Sequence, residues 1–118
     1  MFEVQAEGAD ALRVSLEGAS RQAARRAGQV VRKTATDIQA DARRFAPVDT
    51  GALRGSISSD VRHARGGIEA EIGPTVHYGR WVEQGTSRMA PRAFMGPALD
   101  RNSPGYVSAL SQAMTEGL

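Results

Sequence analysis

The stretch RQAARRAGQVVRKTATDIQADARRFA, residues 21–46, sets the arrangement that the rest of the chain must follow. At about 100° of rotation per residue, nine apolar side chains and Thr34 fall within an arc of roughly 140° on one side of a helix. No basic residue falls in that arc. The pattern predicts one long helix over 21–46 with a single core-facing side, made of Ala23, Ala24, Ala27, Val30, Val31, Thr34, Ala35, Ile38, Ala42 and Phe45.

The opposite side of this predicted helix is strongly basic. Residues 21–33 hold five basic side chains and no acidic one: Arg21, Arg25, Arg26, Arg32 and Lys33. A solvated helix face is one interpretation, and an electrostatic surface that faces DNA or an acidic protein neighbour is the other. No aromatic residue lies between the cations to stack on bases, so sequence-specific DNA recognition is not favoured.

The ends of the helix carry recognisable signals. Ser20 is a candidate N-cap, and Pro47 disfavours helical geometry at Ala46. A connecting turn is predicted to follow, in which polar side chains cap the backbone and a glycine takes positive φ. Its residues are Pro47, Asp49, Thr50, Gly51 and Leu53.

Short elements flank the helix. Alternating apolar residues from Phe2 to Ala6 predict a strand, and the i, i+4 pair Leu12 and Leu16 predicts a short helix over 9–17. After the turn, apolar alternation at 57–61 and 68–72 predicts a hairpin. A turn at Gly66-Gly67 places Arg62 opposite Glu71, and a turn at 65–66 places it opposite Glu69. Either register pairs Arg62 with a carboxylate.

The C-terminal third is less regular. Residues 76–84 predict a short helix closed by Gly85, and 86–97 predict an extended loop. A helix is predicted to start near Pro97, to break at 102–105, and to restart with Ser103 as N-cap and Pro104 in its first turn. The element order predicts a single α+β domain over 1–118: a long N-terminal helix on a small antiparallel sheet with a hairpin, plus a C-terminal helix.

Composition excludes several classes of protein. The chain has 118 residues, a net charge of +2 and no cysteine, so a disulfide framework and a thiol nucleophile are excluded. No apolar run approaches the roughly 20 residues that span a bilayer, and the N-terminus lacks a signal-peptide pattern. His63 and His77 lack the partners of a catalytic triad or metal site. Asp37 and Asp41 are predicted to form surface pairs with Lys33 and Arg44. We therefore expect no enzyme activity, no cofactor and no metal.

The loop GTSRMAPRAFMGPAL, residues 85–99, exposes large apolar side chains between prolines and arginines. Such side chains do not remain free in water. Either the loop packs within its own subunit, above Tyr78 and Trp81, or it docks on a neighbouring subunit. We predict the second. The predicted intersubunit interface comprises Tyr78, Trp81, Glu83, Gly85, Arg88, Met89, Arg92, Phe94, Met95, Pro97 and Leu99.

Three linked segments resemble the signature of a family of small bacteriophage tail components. They are APVDTGALR with Ser56-Ile57 at 46–57, YGRWVEQGT at 78–86, and PRAFMGPAL at 91–99. Members of the family are described as tail-completion or head–tail joining proteins of long-tailed phages. The chain departs from the family pattern at Ala93, where proline is usual, and at Met95, where leucine is usual.

The resemblance implies a non-enzymatic virion protein at the head–tail junction, made in the host cytoplasm. It implies a homo-oligomeric ring on the tail axis, with a hexamer favoured, that contacts the tail tube, the tail terminator and the head-completion or stopper protein. Genome DNA in the channel is a further expected partner, bound without sequence specificity, and no membrane is involved. The alternatives are another particle component, such as a stopper, tail terminator or minor capsid protein, or a small non-specific DNA-binding protein.

Overall fold

A computed structural model describes residues 2–4, 10–47, 51–64, 66–76, 78–87 and 92–116. In chain order the elements are β1 (Phe2–Val4), β2 (Asp10–Ser15), α1 (Arg21–Phe45), α2 (Ala52–Ser56), β3 (Ser58–Ala64), β4 (Gly67–Gly73), α3 (Gly79–Gln84) and α4 (Met95–Glu116). The predicted α+β class is confirmed: a long N-terminal helix and a C-terminal helix accompany an antiparallel sheet that contains a hairpin.

The sheet has the strand order β1-β2-β4-β3, and all its neighbours are antiparallel. The strand β2 pairs with β4 over its whole length, with Leu12 opposite Ala70 and Val14 opposite Ile68. The prediction of a helix over 9–17 is therefore wrong. Leu12, Val14 and Leu16 also alternate with polar residues, and this two-residue period is the one that the sheet uses to bury Leu12.

The hairpin β3–β4 adopts one of the two predicted registers. Arg62 lies opposite Glu69, and His63 lies opposite Ile68. The turn is therefore centred on residues 65–66, and Gly66 has φ of 73°. The alternative turn at Gly66-Gly67, which pairs Arg62 with Glu71 in register, is wrong because Gly67 already belongs to β4.

The helix α1 follows the prediction closely. Ser20 is its N-cap, and the Ser20 hydroxyl accepts a hydrogen bond from the Ala23 amide at 3.0 Å. Ala46 leaves helical geometry with ψ of 141°, directly before Pro47. The buried residues all lie on the predicted arc or at its edge: Ala23, Ala27, Gly28, Val31, Thr34, Ala35, Ile38 and Ala42.

The helix α4 is continuous, so the predicted break at 102–105 is wrong. Instead of capping a new helix, the Ser103 hydroxyl donates to the Leu99 carbonyl at 2.7 Å, and the Asn102 amide donates to the Ala98 carbonyl at 2.8 Å. Both bonds run back one turn within the same helix. Pro104 is accommodated inside the helix.

The core lies between the inner face of the sheet, α1 and the start of α4. Its largest fully buried side chains are Phe94, Leu12, Ile38, Ile57, Ile68, Ile72, Met95 and Val31. Burial of one such side chain stabilises the fold by about 1.5–3 kcal/mol. The two long helices run antiparallel, since Asn102 meets Asp41 at one end while Arg26 and Ala113 line one cavity at the other.

Candidate assembly surfaces

The segment from α3 into α4 forms a tight corner held by one carboxylate. Glu83 accepts hydrogen bonds from the amides of Phe94 at 2.8 Å, Met95 at 2.7 Å and Gly96 at 3.1 Å. These are amides of the first turn of α4, which have no partner within the helix. A negative charge at this end also complements the helix dipole. We call the described residues 78–87 and 92–99 the α3–α4 corner.

Backbone contacts complete the corner. The Arg92 amide donates to the Val82 carbonyl at 2.7 Å, and the Gly85 amide donates to the Trp81 carbonyl at 2.7 Å. Gly85 has φ of 78°, a positive value that glycine adopts readily, and it closes α3 as predicted. The last two family-like segments are thus one structural unit, since α3 supplies the cap for α4.

Phe94 and Met95 lie in the core of their own subunit, with exposed fractions of 0% and 2%. For these two side chains this is the within-subunit arrangement, the first of the two alternatives given for the loop. The reason is that the Glu83 cap draws the chain back over the core before α4 begins.

The remaining residues of the predicted interface differ in exposure. Trp81 is 41% exposed, one of two large apolar side chains that the described chain leaves open to solvent; the other is Val107. Arg92 and Pro97 are exposed, Tyr78 and Leu99 are partly buried against the core, and Arg88 and Met89 lie outside the described residues. Trp81 is therefore the large apolar side chain of the corner that is exposed to solvent.

The role of Glu83 as a cap is not evident from local sequence. Helix N-caps are recognised by Ser, Thr, Asp or Asn immediately before the helix, and Arg92-Ala93-Phe94 supplies none. The absence of a local capping residue is itself a signal in the sequence. It indicates that the first amides of α4 need an acceptor from elsewhere in the chain. Its position in the fold, rather than its neighbours in sequence, makes Glu83 the acceptor.

The basic side of α1 divides into paired and unpaired cations. Lys33 pairs with Asp37 at 2.7 Å and Arg44 with Asp41 at 3.2 Å, which confirms both predicted surface pairs. Arg43 donates to the Ile57 carbonyl at 2.6 and 3.0 Å, and so ties the end of α1 to the start of β3.

Three arginines of α1 have neither an ion pair nor a side-chain hydrogen bond within the part of the chain that the structure describes. They are Arg21, Arg25 and Arg32, and all three are exposed. Arg26, the fifth member of the predicted basic set, is partly buried between α1 and the C-terminal part of α4. We call Arg21, Arg25 and Arg32 the arginine stripe.

The outer face of the sheet carries an ionic network across three strands. Glu69 on β4 binds Arg13 of β2 at 2.8 Å and also binds Arg62 of β3. The hydrogen bond from Arg13 and the nearby Arg62 charge hold the pKa of Glu69 below its usual range. The pairing of Arg62 with a carboxylate was predicted, but that of Arg13 was not, because residues 9–17 were assigned to a helix.

The connecting turn is described only in part. Gly51 has φ of 77°, so the predicted positive φ is present, and Leu53 is buried. Pro47 is partly buried after the end of α1. Asp49 and Thr50 lie outside the described residues, so their capping bonds stay a prediction.

Within the described ranges, no group of three or more His, Asp or Glu side chains is placed to hold a metal ion. Two adjoining cavities of about 330 Å³ each lie between α1 and α4 and share Val30, Lys33 and Ala109. No described helix has both the length and the apolarity to cross a membrane.

A comparison with protein families identifies a family for this chain. Residues 10–85 match the family model HK97-gp10_like, described as "Bacteriophage HK97-gp10, putative tail-component". The matched region runs from β2 through α3 and covers more than half of the chain. No curated protein and no solved structure gives a significant match.

Proposed function

The chain belongs to the HK97-gp10-like family of bacteriophage tail components, and on that premise we propose that it is a structural virion protein of the head–tail junction. In this role it assembles as a ring on the tail axis, completes the tail and joins it to the head. The resemblance of the three sequence segments to tail-completion proteins favours this position and a ring of six copies.

The observation that carries the proposal is the α3–α4 corner with Trp81 exposed on it. Glu83 fixes the corner by three backbone hydrogen bonds, so its shape does not depend on a partner. An exposed tryptophan on a rigid element suits a docking anchor, because tryptophan is enriched among residues that dominate binding energy. The corner is built from the same segments that resemble the tail-completion signature.

A ring needs two different surfaces on each subunit, since one patch meets a different patch on the next copy. The corner is apolar at Trp81, whereas the arginine stripe lies on a different element and is cationic. An apolar patch and a cationic patch are not complementary, so the corner is expected to meet another surface of the next copy. This leaves the arginine stripe for a different ligand.

The proposed partners are those of a neck protein: further copies of this chain, the tail tube, the tail terminator and the head-completion or stopper protein. We assign the whole chain to one such domain and give it no catalytic role. Glu83, Glu69 and Arg43 each bond to groups within the subunit and so hold the fold together.

The test is a native mass measurement of the purified protein, alone and mixed with the tail tube protein of the same phage. We expect a closed oligomer in at least one of the two conditions. The variant Trp81→Ala should remain folded but lose that oligomer. The matched control Val107→Ala, which removes the other exposed apolar side chain, should assemble like the wild type. A protein that stays monomeric in both conditions, or Trp81→Ala rings equal to wild type, would contradict the proposal.

A further inference from the structure

The arginine stripe is a straight line of charge along α1. At about 100° per residue, Arg21, Arg25 and Arg32 lie within roughly 40° of one another on the helix surface. The rise of about 1.5 Å per residue separates the first from the last by roughly 16 Å along the axis. A single extended ligand can therefore contact all three side chains.

The stripe is distinguished by what its members lack. Other cations of α1 are used within the subunit, Lys33 by Asp37 and Arg43 by the Ile57 carbonyl. Arg25 and Arg32 have no such partner among the residues described. Described acidic side chains such as Asp37 and Asp41 pair with other cations. The charges of the stripe therefore remain available to an external anion.

The neighbours of the stripe argue against a protein as that anion. The exposed residues beside it on α1 are Gln22, Gln29 and Thr36, which are all polar. Protein interfaces characteristically centre on buried aromatic or aliphatic side chains, with charges at the rim. A surface of arginine, glutamine and threonine is typical of contacts to phosphate oxygens instead.

We propose that the arginine stripe binds the phosphate backbone of duplex DNA, without reading its sequence. Over roughly 16 Å of its axis a duplex carries about ten phosphate charges, enough to engage every arginine of the stripe. The inference rests on the proposed function only in that a ring on the tail axis surrounds the path of the genome. The stripe then lines that path.

The test is binding of the purified chain to a fluorescent duplex of random sequence, measured over a series of salt concentrations. Three phosphate contacts give a slope of log K against log salt of about −2.7 for each bound subunit. The variant R25Q/R32Q should reduce the magnitude of that slope by about 1.8. R25K/R32K should keep the wild-type slope, because it retains both charges.

The matched control is R44Q/R101Q, which removes the same charge from exposed arginines placed 3.2 and 3.7 Å from Asp41. It should bind DNA with the wild-type slope. An equal loss of slope in the control would show that only net charge matters, and would overturn the assignment to the stripe. Circular dichroism establishes that each variant is folded before its binding is interpreted.

Two further outcomes separate this inference from the proposed function. If polyglutamate displaces the duplex at equal charge concentration, the stripe recognises acidic protein and the inference fails. If the native mass measurement shows a ring but neither ring nor subunit binds duplex at low salt, the inference fails while the proposed function stands. If the chain binds duplex DNA but forms no ring, the proposed function fails while the inference that the stripe binds DNA stands.

Discussion

The two long helices, α1 and α4, are similar in length at 25 and 22 residues and pack against each other, but they are stabilised differently. The helix α1 has its own N-cap in Ser20, basic residues in its last turn and one continuous apolar face. The helix α4 contains Pro104 and draws its N-terminal cap from Glu83, eleven or more residues earlier in the chain. Local sequence accounts for the first helix, and tertiary contacts account for the second.

The contacts that hold α4 lie mostly in its first half. Phe94 at its start is fully buried, and the Asn102 amide donates to the Asp41 carboxylate of α1 at 2.9 Å. Beyond Pro104, Tyr106 and Ala113 are buried but Val107 is 56% exposed. The comparison therefore predicts that the stability of α4 depends on a few contacts such as Phe94 and Asn102, whereas the stability of α1 depends on its whole apolar face.

The largest effect should come from removing the anchor at the start of α4. Phe94→Ala leaves a cavity in the core, and we expect a loss of about 3–5 kcal/mol in the free energy of unfolding. Denaturant unfolding of the monomer measures it. Val107→Ala on the same helix is the control and should change stability by no more than about 0.5 kcal/mol. A Phe94→Ala monomer with the wild-type melting midpoint that no longer assembles would instead place Phe94 in an intersubunit contact.

Proline inside a helix should be destabilising in both α1 and α4, so adding it to α1 and removing it from α4 should change stability in opposite directions. Ala40→Pro, at an exposed position inside α1, removes a helical hydrogen bond and should cost about 3 kcal/mol. Pro104→Ala restores a donor for the Asp100 carbonyl and should stabilise α4 by about 1–3 kcal/mol. Thermal unfolding of both variants gives the comparison. A Pro104→Ala protein less stable than wild type would mean that the proline shapes α4 to fit α1.

The cap on α4 should have an intermediate effect. Glu83→Gln keeps one acceptor oxygen but loses the charge, so we expect a loss of about 1–2 kcal/mol. Amide hydrogen exchange should quicken at residues 94–96, whose amides bond to Glu83. Glu71→Gln, at an exposed carboxylate of the sheet, is the control and should leave exchange at those amides unchanged. Unchanged exchange in Glu83→Gln would contradict the capping role.

The difference between the helices also shows what could be predicted from sequence. The apolar periodicity predicts that α1 is a helix, and Ser20 and Pro47 set its two ends. Each of these two end signals acts on the adjacent helical turn. For α4, the series Asn102-Ser103-Pro104-Gly105 contains residues that locally favour a break. Tertiary contacts on both sides of Pro104 keep the helix continuous: the Asn102 amide donates to the Asp41 carboxylate of α1, and Tyr106 is buried. Local pattern does not contain these contacts.

The same distinction applies to β2 and to the candidate surfaces. Leu12 and Leu16 fit a helical period and a strand period equally, and only the neighbouring strand β4 decides between them. The basic set on α1 was predictable from composition and spacing. Its division was only partly predictable: the pair of Lys33 with Asp37 follows from their spacing, but the partial burial of Arg26 beside α4 depends on tertiary packing.

The smallest expected effect compares one glycine in each helix. Alanine is favoured over glycine inside a helix by about 0.5–1 kcal/mol. At Gly105 of α4 an added Cβ meets no atom within 4 Å, so Gly105→Ala should gain that amount in thermal or denaturant unfolding. At Gly28 of α1 the added Cβ lies 3.4 Å from an Arg32 nitrogen and 3.5 Å from the Ile68 Cδ1 atom, so the gain should be smaller. Equal gains in stability at both positions would show that the packing around Gly28 in α1 is no tighter than the packing around Gly105 in α4. A gain in stability at Gly28 alone would contradict the comparison. It would mean that alanine fails to stabilise the second half of α4 rather than the packed face of α1.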